Sequence, residues 1–205
     1  MAKMYFRFGT VGSAKTLNLL AVAHNYTLQK KRVLLLKPAI DVRFAHNFIT
    51  SRTGLKREAD YLIESNTLFL VNNRPLISQD HGFAKEINLD RHENLACILV
   101  DEAQFLSQSV IDQLHLITIQ MDIPVLCYGL KTNFKSHLFA GSRRIIELAD
   151  KIEEIKSTCY FCKNKAIFNL KLINGVPVNT GAEVDLGAEE KYRPACKDCY
   201  RQKLN

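Results

Sequence analysis

No run of about 18 or more apolar residues occurs in this sequence, so no segment reads as a helix able to span a bilayer. The first residues lack the charged stretch, short apolar core and small cleavage residues of a signal peptide. They enter a strand-like run at once, which makes the cytoplasm the expected compartment and a membrane partner unexpected. An arginine-rich tail is also missing. The formal net charge of +7 is spread along the chain, with Lys30–Lys31–Arg32 and Arg143–Arg144 as small groups. Such a charge suits nucleic acid, an anionic metabolite or simple solubility without choosing among them, and no stable nucleic-acid partner is expected.

What is present is a globular composition. Of 205 residues, 47% are hydrophobic and 24% charged, enough for one medium domain and a small appendage. Six cysteines divide unevenly. Cys97 and Cys127 lie in apolar, strand-like runs and read as small buried hydrophobes. Cys159, Cys162, Cys196 and Cys199 form two C-x-x-C pairs, which in a chain without an export signal favour metal over disulfides. Two such thiolate knuckles satisfy tetrahedral zinc and leave no position open for a substrate water, so the metal is expected to be structural. It would staple a segment with too little apolar content for a secure core of its own. Zinc ribbons also occur in nucleic-acid binders, so the pattern does not by itself announce an enzyme.

The stretch that carries most chemistry is Gly9-Thr10-Val11-Gly12-Ser13-Ala14-Lys15-Thr16, between a strand-like run at Met4 to Phe8 and a helix-like one beginning at Leu17. A phosphate-binding loop belongs at such a junction. Its backbone N–H groups and the helix N-terminus face the phosphates, the lysine adds a point charge, and the hydroxyl reaches magnesium. Against G-x-x-x-x-G-K-[ST] the stretch keeps Gly9, Lys15 and Thr16 but has Ala14 at the second glycine. A Cβ there either fits after a small adjustment or weakens the site. The alternative is a tight β–α turn followed by a solvent-facing lysine.

A buried strand follows at Lys31 to Leu36, and the strand, turn, helix, strand order is the βαβ unit of a parallel sheet. Asp41 and Arg43 come after Pro38, at the carboxyl edge where open α/β sheets bind ligands, or else form an ordinary surface ion pair. Residues 45–60 show little periodicity and read as a loop, Leu68 to Val71 as a short strand, and Pro75 to Asn94 as a helix or long connection. Cys97-Ile98-Leu99-Val100 is a central strand ending in Asp101-Glu102, which resembles a Walker B segment. There an aspartate holds magnesium with hard oxygen ligands, and the next acid, pointing differently, is free to take a proton. A helix is expected over Gln108 to Gln120, a strand over Pro124 to Gly129, and a helix with a strand toward its end over Arg143 to Lys156. Phe134 stacks on a base or closes the core. Between the cysteine pairs, Ala166 to Ile173 reads as a strand, Asn174-Gly175 as a hairpin turn, and Thr180 to Tyr192 as a loop.

Taken together, Asp101-Glu102-Ala103-Gln104-Phe105, Tyr128-Gly129-Leu130-Lys131-Thr132-Asn133-Phe134, Leu138-Phe139-Ala140-Gly141-Ser142, and Leu186-Gly187-Ala188-Glu189-Glu190-Lys191-Tyr192 before Cys196 resemble the zinc-containing thymidine kinases shared by bacteria and animal cytosol. The resemblance covers nearly the whole chain. It implies an α/β, RecA-like P-loop core with helices on both faces of a parallel sheet (residues 1–156), followed by a small zinc-ribbon-like domain carrying a lasso loop (residues 157–205). It further implies transfer of a phosphoryl group from ATP to the 5′-hydroxyl of thymidine, with magnesium, in a homotetramer restrained by dTTP.

By the same resemblance Glu102 is the general base and Asp101 organises magnesium, with Gln104 beside them. Residues 9 to 16, Asp41 and Arg43 serve the ATP phosphates, and Phe105, Leu130, Phe134 and Tyr192 line the base pocket. Glu183, Val184, Asp185, Leu186 and Gly187 form the lasso that closes over thymine. Ala14 and Ala188 depart from the family's glycines. Two other outcomes remain open: a nucleic-acid-associated P-loop ATPase, and a nucleotide-binding protein made catalytically weak by Ala14.

Overall fold

A computed structural model of the chain describes residues 1–42, 47–78, 85–181 and 191–204. In chain order the elements are β1 (Met4–Phe8), α1 (Lys15–Leu28), β2 (Arg32–Pro38), β3 (Phe48–Thr50), β4 (Lys56–Glu58), β5 (Tyr61–Ile63), β6 (Leu68–Val71), β7 (Arg74–Pro75) and β8 (Glu86–Asn88). They continue as β9 (Leu95–Val100), α2 (Gln108–Gln120), β10 (Val125–Gly129), α3 (Ala140–Leu148), β11 (Lys151–Glu154), β12 (Phe168–Ile173), β13 (Val176–Val178), β14 (Tyr192–Ala195) and α4 (Lys197–Leu204).

Six strands form the main sheet in the order β11-β1-β10-β9-β2-β5, and every neighbouring pair is parallel. The side-chain alternation of a strand sends successive residues to opposite faces, and here both faces are apolar. Leu34, Leu36, Ile98, Val100, Val125 and Cys127 point into the cluster that contains Val110, Ile111, Leu114 and Ile117 of α2 and Ile145 of α3. Val33, Leu35, Cys97, Leu99, Leu126 and Tyr128 point the other way, into the cluster with Leu19, Leu20 and Ala23 of α1. This is the parallel sheet with helices on both faces that the sequence implied. Each fully buried leucine contributes about 1.5–3 kcal/mol, which is why an all-apolar Val-Leu-Leu-Leu run is required at β2. Cys97 and Cys127 are both fully buried, and burial pushes each thiol up to about 12.

The α2 helix is started by Ser107, whose Oγ accepts from Val110 N at 3.3 Å. One polar residue on its buried face is satisfied from outside the helix. Gln113 Oε1 accepts from Phe69 N at 2.8 Å, and its Nε2 donates to Thr67 O at 3.0 Å, tying β6 to the helix.

The structure corrects the reading of residues 45–60. Residues 43–46 lie outside the description, but β3 and β4 form an antiparallel hairpin within the span, and just beyond it β5 adds a parallel edge strand to the main sheet. These strands are three residues long, and β4 is Lys-Arg-Glu, so no alternation of apolar and polar residues announces them; only Ile49 of the hairpin is fully buried. Between Pro75 and Asn94 the described residues hold no α-helix; β8 and a single 3₁₀ turn at Leu89–Arg91 occupy part of the span.

At the opposite edge, Arg7 of β1 ties together the neighbouring strands β11 and β10. Its Nε donates to Glu153 Oε2 at 2.8 Å and its Nη1 to Tyr128 OH at 2.8 Å, while Lys151 Nζ lies 2.8 Å from Glu153 Oε1. Hydrogen bonds from Lys151 and Arg7 hold the Glu153 carboxyl below its ordinary 4.5. A carboxyl with a depressed folded value stabilises above its unfolded value and loses that contribution as pH falls through the folded one. Glu153→Gln is therefore expected to flatten the acid limb of a melting-temperature profile below about pH 4.5. The pair is about one-third exposed, so the change at neutral pH should be about 0.2–1 kcal/mol.

After β11 the chain builds a separate three-stranded antiparallel sheet, β13-β12-β14, closed by α4. The turn between β12 and β13 is Asn174-Gly175 with φ of 50° and 79°, the two left-handed residues that a tight hairpin needs.

Candidate active site

Sheet order decides which residues meet. The connection from β1 through α1 to β2 skips two strands, so β10 and β9 lie between them and the carboxyl ends of β1, β10 and β9 stand side by side. The loop leaving β1 carries residues 9–16, and the end of β9 carries the acid pair. Thr16 Oγ1 donates to Asp101 Oδ2 at 3.2 Å and lies 3.3 Å from Oδ1, which brings the two together across a sequence separation of 85.

Within the loop, Gly9 is needed for space. A Cβ there would sit 2.3 Å from Ser13 Oγ and 2.6 Å from Ile155 O. Lys15 is buried, and its Nζ donates to Thr10 O at 2.8 Å, so the lysine arches over the loop and does not face solvent. Ser13 Oγ is buried without a hydrogen-bond partner. Ala14, at the position where glycine was expected, has φ 64° and ψ 27°. Its methyl is exposed, so the departure from glycine costs backbone strain and no clash.

A left-handed L-residue costs about 1–2 kcal/mol, against about 0.5–1 kcal/mol for the extra freedom of an unfolded glycine. Ala14→Gly is accordingly expected to stabilise the protein by about 0.5–1 kcal/mol. Differential scanning calorimetry should show this as a rise of about 2 °C at this chain length, and an unchanged or lower melting temperature would show that the loop gains nothing from glycine.

The acid pair is buried, Asp101 at 5% and Glu102 at 7% exposure. Glu102 also has a left-handed backbone, φ 49° and ψ 38°, a strained state for a long side chain that packing must hold in place. Gln104 holds the carboxylate: its Nε2 donates to Glu102 Oε2 at 2.5 Å, and its Oε1 accepts from Leu130 N at 3.0 Å. That amide lies across the end of β10. A Cβ on Gly129 would come within 2.5 Å of Gln104 Oε1, so glycine is what admits it.

The remaining wall comes from β2 and the β3–β4 hairpin. Lys37 and Asp41 are almost fully buried, with Nζ 3.5 Å from Oδ2, and Lys37 Nζ also donates to Phe48 O at 3.1 Å. Together with Thr16, Asp101, Glu102 and Leu130 they line one open cleft, which Ser51 and Arg52 of the hairpin close on the far side.

The residues expected at a base pocket are placed less uniformly. Leu130 lines the phosphate cleft. Phe105 packs edge-on to Phe139 at 5.8 Å and lines a neighbouring cleft with Ile40 and Ile63. Phe134 is buried and pairs with Tyr192 at 6.3 Å, while Lys171 Nζ sits 4.9 Å from the Phe134 ring. Arg43, the lasso residues Glu183, Val184, Asp185, Leu186 and Gly187, and Ala188 lie outside the described residues.

The Sγ atoms of Cys159, Cys162, Cys196 and Cys199 all lie within 4.8 Å of one another, and none is in a disulfide. Zinc–thiolate bonds of about 2.3 Å in a tetrahedron set sulfur–sulfur separations near 3.8 Å, so the cluster fits a zinc ion with little movement. Backbone donors support thiolate charge: Phe161 N reaches Cys159 Sγ at 3.4 Å and Cys199 N reaches Cys196 Sγ at 3.5 Å. The four sulfurs form a closed set suited to a structural zinc site.

A family profile described as thymidine kinase matches residues 2–200. The chain belongs to the thymidine kinase family. A protein named thymidine kinase from Lactiplantibacillus plantarum is 40% identical over 200 residues, covering 98% of this chain and 96% of that one. Those of Streptococcus gordonii and Listeria monocytogenes serovar 1/2a are each 39% identical, covering 98% of this chain and 96% and 97% of theirs.

The cleft of this thymidine kinase family member also takes residues that the sequence expectations above do not name, the two charged ones being Lys37 and Arg52. Lys37 is a charge at the end of an otherwise apolar buried strand, and that anomaly was a readable signal. Arg52 reaches the cleft because the hairpin folds back over the loop, and nothing local in Ser51-Arg52-Thr53-Gly54 reveals it.

Proposed function

We propose that this protein is a thymidine kinase that moves the γ-phosphoryl group of ATP to the 5′-hydroxyl of thymidine, giving dTMP. Family membership supports the reaction, and one structural observation carries the reading. The Thr16–Asp101 contact unites the phosphate loop with the acidic strand end, and Glu102 is held by Gln104 in the same cleft.

In this reading the N–H groups at the helix end of the 9–16 loop and the Lys15 ammonium hold the triphosphate, with Asp41 and Arg43 nearby. Thr16 and Asp101 offer adjacent hard oxygens and so fit a magnesium ion, which when bound would neutralise phosphate charge. Glu102 takes the proton of the attacking hydroxyl, and its hydrogen bond from Gln104 fixes which oxygen remains available. Because Gln104 also binds Leu130 N, one amide aligns the base with a wall of the nucleoside site. Phe105, Leu130, Phe134, Tyr192 and residues 183–187 hold thymidine.

Residues 1–156 and 157–205 are read as two units, since the main sheet ends with β11 at Glu154 and a separate sheet begins with β12 at Phe168. The zinc anchors the second unit. From the family resemblance we also take the protein to be a cytoplasmic homotetramer inhibited by dTTP. Among the described residues no helix is long and apolar enough to cross a membrane.

The test is incubation with ATP, magnesium and, separately, thymidine, deoxycytidine, deoxyadenosine and deoxyguanosine, with products separated by mass. The expected product is dTMP from thymidine alone. ATP hydrolysis stimulated by DNA or RNA without a nucleotide product would support an ATPase instead, and nucleotide binding without turnover a weak or silent enzyme.

A further inference from the structure

Asn169, on β12 of the cysteine module, is 4% exposed, and both ends of its amide are engaged. Its Oδ1 accepts from Val11 N of the phosphate loop at 2.8 Å, and its Nδ2 donates to Thr132 O, in the segment after β10, at 3.1 Å. Only one orientation of the amide serves both partners, because a flip would set N–H against N–H and oxygen against oxygen. A second link joins the preceding loop residue to the same module: Thr10 Oγ1 and Ser157 Oγ are 2.6 Å apart.

The first limb of the phosphate loop is thus fastened from outside the sheet that carries it. The Val11 N–H is already spent on a protein acceptor, and Ser13 N donates to Thr10 O at 3.2 Å within the loop, so the first limb is held by protein contacts on both sides of Gly12. The loop also contains left-handed residues at positions 12 and 14, so its curvature is not the relaxed choice of the local chain. Thr132 lies between Leu130, which lines the phosphate cleft, and Phe134, which packs on Tyr192.

We propose that Asn169 is a positioning residue for the phosphate donor. By holding Val11 it sets the shape of the phosphate loop, and by holding Thr132 it fixes that loop against the segment from Leu130 to Phe134. The residue acts through Val11 and need not touch ATP. The identity of the donor rests on the kinase reading above; the fastening of the loop does not.

Asn169→Leu keeps the approximate shape and removes both hydrogen bonds, and Asn169→Ser leaves a smaller polar residue that water can accompany if the leucine variant folds poorly. Calorimetric titration with ATP and magnesium, in the absence of nucleoside, should show binding weakened about tenfold in either variant, the scale of one buried hydrogen bond lost. The KM for ATP should rise in parallel, while kcat at saturating ATP stays within about threefold and the KM for thymidine within about twofold. Zinc content per chain should be unchanged. A lower melting temperature with unaltered ATP affinity would make Asn169 a structural residue only and overturn the proposal, as would an equal loss of thymidine and ATP affinity. If the unsubstituted protein binds ATP yet phosphorylates no nucleoside, the kinase reading fails while the binding comparison at Asn169 still stands.

Discussion

Replacing Glu102 with glutamine should lower kcat at saturating ATP and thymidine by at least ~100-fold, the usual scale for a positioned acid–base group. The substitution is mild as structure. Glutamine has the same length and the same penalty for the left-handed backbone, and its amide oxygen still accepts the Gln104 Nε2 hydrogen bond. Melting temperature and ATP affinity should therefore change little, which isolates the lost proton acceptor from any disturbance of the cleft. Asp101 and Thr16 are untouched, so the acidic strand end keeps its place beside the phosphate loop. A Glu102→Gln protein with kcat within tenfold of the unsubstituted one would remove Glu102 from the base role, and Asp41 would become the next buried carboxylate in the cleft to test.

The second large effect concerns the four cysteines. Structural zinc sites in small peptides are worth roughly 10 kcal/mol or more. If a third of the lower figure, about 3 kcal/mol, reaches the whole chain, removing the metal with a strong chelator lowers the melting temperature by roughly 6–12 °C. Cys159→Ser should act in the same direction, because a hydroxyl replaces a thiolate in the closed set.

Thymidine affinity should fall with it. Tyr192 begins β14, the strand leading to Cys196, and its ring packs on Phe134, so a loosened cluster frees one wall of the expected nucleoside site. The discriminating measurement is zinc by mass spectrometry, melting temperature and thymidine binding on one preparation. Zinc-free protein with an unchanged melting temperature and unchanged thymidine affinity would strip the cluster of its structural role.

How far the sequence revealed this molecule depends on how far apart the interacting residues lie. The loop at 9–16, the apolar run ending in Asp101-Glu102, the helix over Gln108–Gln120 and the Asn-Gly hairpin are each written in contiguous residues, and the structure shows each of them. The βαβ reading gave the class of sheet but not its order. Strand order depends on which strands later insert between β1 and β2, and no local pattern records that.

The hairpin at Phe48–Glu58 escaped because its strands are short and polar and owe their pairing to long-range contacts. Asn169 is the extreme case. Its partner Val11 lies 158 residues away, so an asparagine in a loosely alternating strand gave no hint of a bond to the phosphate loop. Ala14 shows a different lesson: the sequence flagged the residue, but only the fold shows, by its exposure, that the methyl is free of the core and, by its backbone angles, that the cost is strain.

The closed packing around Cys97 and Cys127 also sorts the protein's sulfur chemistry by location. Both thiols are held at about 12 inside the main core, so near neutrality almost none of either exists as the reactive anion. A maleimide added to the native chain therefore meets only the four sulfurs near the carboxyl terminus, and the mass it adds counts how many of those are unclaimed. Alkylation becomes a gauge of metal occupancy that needs neither turnover nor a mutated residue.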